Sequence, residues 1–253
     1  MSIMDLSGKN AIITGATKGI GRGIANGLAE AGANIVVVSR NKADCERVAE
    51  EIKQTYGVKT LALPSDVTKQ SDIQNMVDRT VETLGSIDIL VNNAGSAITK
   101  RAEDLTEEDW DHVMNLDLKA VFFCSQAVGR QMIAQKHGKI INIGSVLALV
   151  SDKQVLPYSV AKGGVLQMTK ALALEWAKHN IQVNAICPGY IVTEINREAL
   201  QDERISSSRL RKITMRRFGE VDEVAGAAVY LASNASSYVT GSHILVDGGW
   251  CAE

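Results

Sequence analysis

Tyr158 and Lys162 stand four residues apart in the stretch that opens at Pro157. That spacing puts both on one helix face, with the lysine one turn beyond the tyrosine. Pro157 falls in the first turn, where a helix tolerates proline. A free tyrosine titrates near pH ~10 and is a poor base at neutral pH. A neighbouring ammonium favours the tyrosinate and brings that value down. The pair therefore suits acid/base work on a hydroxyl. By itself the spacing equally describes a solvated helix pair. Ser145 sharpens the reading, because it follows the apolar run Lys139–Ile143 at a strand end. A hydroxyl there can hold a substrate oxygen beside the Tyr158 hydroxyl. Asn115 lies inside a long helical stretch, a position where asparagine is a mediocre choice.

A second constellation closes the first apolar run. Gly15, Gly19 and Gly21 fall where Asn10–Thr14 turns into a helical stretch, with Ala16, Thr17, Lys18 and Ile20 between them. Glycine allows a tight turn and close approach of a ligand to backbone. The helix start offers free N–H groups and the positive end of a dipole to a pyrophosphate. Such a trio gains meaning from its strand–turn–helix context, which points to a dinucleotide. In many such folds an acidic residue ends the second strand and binds the ribose 2′-OH. Here that strand ends in Ser39 and Arg40, and Lys18 adds a second cation. Guanidinium and phosphate pair through two hydrogen bonds, so NADP(H) is favoured and NAD(H) stays open. Asp66 and Val67 follow the third strand and can meet the adenine. Asp66 reads equally as a helix N-cap. Asn92, Asn93, Ala94 and Gly95 follow the fourth strand. Their small side chains would admit a ligand, and their amides could bridge neighbouring strands.

The elements that must position these residues alternate along the chain. Short apolar runs occur at Asn10–Thr14, Asn34–Ser39, Lys59–Leu63, Ile87–Val91, Lys139–Ile143, Ile181–Ile186 and His243–Val246. Helical stretches separate them, at Gly19–Ala31, Lys42–Tyr56, Gln70–Leu84, a long one before the fifth strand, and Pro157–His179. Strands apolar on both faces, alternating with helices, indicate a parallel sheet covered on both sides. We expect an α/β fold: a doubly wound parallel sheet of about seven strands with helices on both faces. With three prolines and no linker-like stretch, its 253 residues read as a single domain, 1–253.

Composition excludes other classes. The formal net charge is -2, so the chain lacks the basic bias of a nucleic-acid binder. Apolar runs stay short of the ~20 residues a membrane span needs. The first residues lack the charged and apolar regions of a secretory signal, so a cytoplasmic protein is expected. Cys45, Cys124, Cys187 and Cys251 form no CxxC pair and no cluster with histidine. They read as reduced thiols, with no metal site.

The motif set resembles the short-chain dehydrogenase/reductase family. The resemblance rests on Thr14 and Gly15 through Gly21, on Asn92 to Gly95, and on Asn115, Ser145, Tyr158, Lys162, Pro188 and Gly189. These follow the family order and spacing from Gly8 to Gly249. The resemblance implies a Rossmann-like fold, with Tyr158 as general acid/base. Lys162 would lower its pKa and hold the nicotinamide ribose. Ser145 would orient the substrate oxygen, and Asn115 would anchor a water relaying protons from Lys162 to bulk. Asp66 and Val67 would meet the adenine, Asn93 the ribose region, and Ile191 and Thr193 the nicotinamide carboxamide. Lys18 and Arg40 resemble the NADP-preferring subset. A homotetramer is also implied, in keeping with the general preference for two-fold symmetry.

The family's substrate lid would run from about 190 to 217. It carries Glu194, Arg197, Glu198, Asp202, Glu203, Arg204, Arg209, Arg211 and Lys212. That polar, partly basic lid is a poor match to a steroid pocket and tolerable for a sugar acid, and it equally describes a helical lid that exposes charges because it lies outside. His179 to Asn184, Pro188 to Tyr190, Thr193, Glu194 and Gly226 to Val229 look like the gluconate 5-dehydrogenase branch. Arg197, Arg209 and Lys153 are the candidate cations for a substrate carboxylate. Alternatives are a 3-oxoacyl-carrier-protein reductase, for which Lys178 and His179 offer only a modest basic patch, and a broad-specificity carbonyl or polyol reductase. A non-catalytic NADP-binding regulator is the alternative class, and the complete Asn115, Ser145, Tyr158 and Lys162 set argues against it.

Overall fold

The structure is a computed structural model describing residues 2–194, 196–198, 200 and 203–252. The first half runs β1 (Asn10–Thr14), α1 (Gly19–Glu30), β2 (Asn34–Ser39), α2 (Lys42–Tyr56), β3 (Thr60–Pro64), α3 (Gln70–Leu84) and β4 (Ile89–Asn92). The second half runs α4 (Glu107–Met114), a π-helical turn (Asn115–Lys119), α5 (Ala120–Gln135), β5 (Gly138–Ile143), α6 (Leu156–Trp176), β6 (Ile181–Pro188), α7 (Glu203–Leu210), α8 (Val221–Ala232) and β7 (His243–Val246).

The seven strands form one parallel sheet in the order β3-β2-β1-β4-β5-β6-β7. Successive residues of a strand point to opposite faces, and here both faces are apolar. Ile13, Ile35 and Val37 pack on one side with Ile24, Leu28, Val48 and Leu231 from α1, α2 and α8. Ile12, Val36, Val38 and Leu90 pack on the other with Met76, Val128 and Leu172 from α3, α5 and α6.

All seven expected strands are present, with shifts of one or two residues at four of them: β5 begins one residue earlier, at Gly138, and β6 runs two residues further, to Pro188. β4 begins at Ile89 rather than Ile87. The Gln135 side chain takes both the N–H and the C=O of Ile87, so that residue pairs with a side chain before the ladder starts. β3 begins at Thr60 and ends at Pro64, one residue later at each end than expected. The long helix before β5 is interrupted at Asn115 by the π-helical turn, a feature that often marks functional sites. Among the described residues no helix is long and apolar enough to cross a membrane.

Candidate active site

The sheet order reverses between β1 and β4, which lie side by side. In open α/β sheets the ligand crevice lies outside the strand C-termini at such a point. The loops after β1 and β4 are laced together there. The Thr14 hydroxyl accepts the N–H groups of Asn93 at 3.0 Å and Ala94 at 3.1 Å. The Asn93 amide donates to the carbonyls of Thr14 at 2.9 Å and Gly15 at 3.1 Å. Asn93 therefore braces the glycine turn with its side chain. Gly15 has φ +67°, and a Cβ on it would stand 2.8 Å from the Asn93 amide, so only glycine fits.

Gly19, Ile20 and Gly21 form the first turn of α1. The Gly19 N–H donates to a Glu194 carboxylate oxygen at 3.3 Å. An acidic side chain thus occupies the place where free N–H groups and the helix dipole favour negative charge. The turn is built to take an anion, and its residues fit a dinucleotide pyrophosphate.

A cavity of about 600 Å³ opens beside this turn, lined by Gly15, Thr17, Lys18, Arg40, Asp66, Val67, Ala94, Gly95 and Asn115 among others. Lys18 and Arg40 are exposed, and neither has an ion-pair partner among the described residues. Asp66 is not the N-cap of α3, a position held by Lys69. Its carboxylate accepts the hydroxyl of Thr68 at 2.7 Å and the Thr68 N–H at 3.1 Å. Those bonds, with Lys69 and Arg40 nearby, hold its carboxyl below the usual carboxylate range against a smaller opposing effect of burial.

A second cavity of about 740 Å³ holds the Ser145 and Tyr158 side chains on one wall. Ser145 follows β5, is 7% exposed, and accepts the Leu147 N–H at 3.1 Å. Tyr158 lies in the first turn of α6, with Pro157 beside it. The Lys162 ammonium stands 5.3 Å from the Tyr158 ring centre. It donates to the Ile143 carbonyl at 3.0 Å and lies 3.3 Å from a carboxylate oxygen of Asp117.

Asp117 is fully buried, and the sequence reading did not single it out. Its signal was a carboxylate on the buried stripe of a helix, in step with Val113, Ala120 and Cys124. The expected neighbour was Asn115. The structure puts Asn115 at the exposed rim of the first cavity instead. Two residues apart on a helix point to nearly opposite sides, so one of the two faces Lys162 and the other faces the rim.

Beyond β6, Gly189 lines the second cavity and Ile191 is buried under the segment that follows. Pro188 ends β6. Asn196 ties this segment down, accepting the Thr193 N–H and donating to the Ile191 carbonyl, both at 2.8 Å. The Thr193 methyl group faces Gly19. Tyr190 stacks on Trp250 with ring centres 5.0 Å apart, so the chain's C-terminal turn walls the same cavity. The Arg209 guanidinium lies 4.8 Å over the Tyr190 ring, and Lys212 5.3 Å over Trp250. Lys212 is neutralised by Asp152 at 2.7 Å. Arg209 has no carboxylate partner among the described residues. Lys153 also lines the cavity, whereas Arg197 is exposed and does not. Asp202 lies outside the described residues.

Residues 15–251 match the family model described as enoyl-(acyl carrier protein) reductase. The chain is 44% identical over 253 residues to 2-dehydro-3-deoxy-D-gluconate 5-dehydrogenase of Escherichia coli, covering 100% of this chain and 99% of that one. It is 39% identical over 246 residues to the NAD-dependent glycerol dehydrogenase of Listeria innocua, covering 97% and 95%. The gluconate 5-dehydrogenase of Burkholderia cenocepacia, solved with NADP and tartrate, superposes with a TM-score of 0.95 at 39% identity, covering 99% and 98%. The chain belongs to the short-chain dehydrogenase/reductase family. It is an oxidoreductase of CH–OH groups that uses a nicotinamide cofactor. In this short-chain dehydrogenase/reductase, the first cavity adjoins the glycine turn and the second holds Ser145 and Tyr158.

Proposed function

We propose that the enzyme interconverts a secondary alcohol and a ketone on a sugar acid, with NADP(H) preferred and NAD(H) accepted. The observation that carries the substrate class is Arg209. Among the described residues it makes no ion pair, and it is set over Tyr190 in the cavity that holds Ser145 and Tyr158. A guanidinium so placed matches a substrate carboxylate through paired hydrogen bonds. The names of the related enzymes support the same class.

In alcohol oxidation, Ser145 holds the substrate oxygen and Tyr158 takes its proton. Lys162 favours the tyrosinate form of Tyr158 by its positive charge. A bound nicotinamide would supply the hydride chemistry at the carbinol carbon in either direction. Lys18 and Arg40 would hold the 2′-phosphate, Asp66 and Val67 the adenine. Ile191 and Thr193 would meet the carboxamide, and Asn115 would order water at the rim. We read the chain as one domain, with 190–217 as its substrate lid, acting as a cytoplasmic homotetramer. Exposed apolar side chains on α6, Val160 at 44% and Leu174 at 84%, support self-association.

Nicotinamide absorbance tests the reading. The panel holds gluconate, 5-ketogluconate, an acetoacetyl thioester, glycerol and simple carbonyls, each with both cofactors. Turnover is expected on the sugar acids. Arg209→Met should raise KM for them by about tenfold or more, the worth of one charge-assisted hydrogen bond, and leave glycerol unaffected. Turnover confined to the thioester or to simple carbonyls would refute the substrate class, as would an Arg209 variant with unchanged KM.

A further inference from the structure

We infer that Asp117 is a positioning residue of this active site. It forms a buried unit with Lys162 that sets the charge felt by Tyr158. The inference rests on the assignment of Tyr158 as the acid/base. Three elements converge on Asp117. One carboxylate oxygen faces the Lys162 ammonium at 3.3 Å across from α6. The other accepts the Ser96 N–H at 2.9 Å from the loop after β4. The π-helical turn between α4 and α5 carries the carboxylate itself. Both charges are withdrawn from water, with side-chain exposures of 4% for Lys162 and 0% for Asp117.

Gly95 shows that the space is reserved for this pair. A Cβ there would lie 2.5 Å from the Asp117 oxygen and 3.6 Å from the Lys162 ammonium. The glycine that was expected to serve the cofactor also leaves room for the ion pair. An ammonium with so little access to water is costly unless paired. Asp117 supplies the counter-charge. Burial pushes the Asp117 carboxyl up, and the Lys162 ammonium, the Ser96 N–H and His112 oppose that rise.

The consequence has a definite sign. A negative charge raises the pKa of every group near it. Removing it must lower the pKa of Lys162 and of Tyr158 together. Other titratable groups face the pair. His112 of α4 sits 3.1 Å from the Ser96 hydroxyl. Cys187, near the end of β6, feels the Lys162 charge.

The experiment compares wild type, Asp117→Asn and Asp117→Glu, each also in a His112→Asn background. Two quantities are followed against pH. One is kcat/KM for alcohol oxidation. The other is the ultraviolet tyrosinate signal, taken as the difference from Tyr158→Phe, which needs no substrate. Asp117→Asn should move the acid limb and the Tyr158 titration down by about one pH unit. Asp117→Glu should restore both, and His112→Asn should leave the displacement in place. A slower Asp117→Asn enzyme with neither titration moved would overturn the inference. So would a displacement that vanishes with His112. If Asp117→Asn fails to fold, the melting temperatures of Lys162→Met and of Lys162→Met with Asp117→Asn decide. Removing the lysine alone strands a buried carboxylate, so the double variant should be the more stable. A double variant no more stable than the single would refute the pairing. Loss of the sugar-acid reading would appear in the substrate panel and would leave the tyrosinate and melting results standing.

Discussion

Replacing Arg40 with aspartate reverses the charge at the adenosine end of the crevice. Arg40 is exposed, lines the first cavity, and has no ion-pair partner among the described residues, so the fold loses no salt bridge with it. A hydrogen bond between charged groups contributes about 1.5–3 kcal/mol. The side chain sits in water, which places the loss at the lower end, about 1.5 kcal/mol, or roughly tenfold. The new carboxylate adds repulsion of about 1 kcal/mol against a 2′-phosphate about 4 Å away in water, or roughly fivefold. It also offers NAD(H) a partner for its ribose hydroxyl. The ratio of kcat/KM with NADP to that with NAD should therefore fall about 50-fold, the product of those two estimates. Steady-state kinetics with both cofactors measures it. The effect should shrink as salt is added, because an exposed charge is screened. An unchanged ratio, or equal losses with both cofactors, would show that Arg40 does not read the phosphate.

Tyr158→Phe should lower kcat by about 10²–10⁴, the range typical of a general acid/base, while cofactor binding followed by fluorescence stays near that of wild type; turnover within tenfold of wild type would remove Tyr158 from its role. Glu194→Gln should tighten cofactor binding, because the Glu194 carboxylate occupies the Gly19 N–H in the free enzyme. Isothermal titration with NADPH would measure the gain, and weaker binding by the glutamine variant would contradict that competition.

The seven strands, the helices between them and the order of the motifs were legible in the sequence. Hydrophobic period and glycine placement depend on near neighbours in the chain. Val36, Val37 and Val38 read as a strand buried on both faces whatever lies beside them, and the structure puts one of the two cores on each face. Tyr158 and Lys162 were legible for the same reason, being one helical turn apart. Strand order was less accessible, because it depends on which strand ends meet across the sheet.

Only the tertiary structure decided which polar group meets Lys162. Asn115 and Asp117 lie in one turn, and although Asp117 keeps step with Val113, Ala120 and Cys124, that spacing does not name the group it meets. The π-helical turn and the packing on α6 send Asp117 to the lysine and Asn115 to the rim. The same holds for the lid, where sequence offered several cations. Arg197 stands outside the cavity, while Lys153 and Arg209 both line it, and Arg209 lies over Tyr190. Local sequence determined the elements because their causes act over a few residues. Charge pairing was left to the fold because it depends on distances of a few ångströms between residues far apart in the chain.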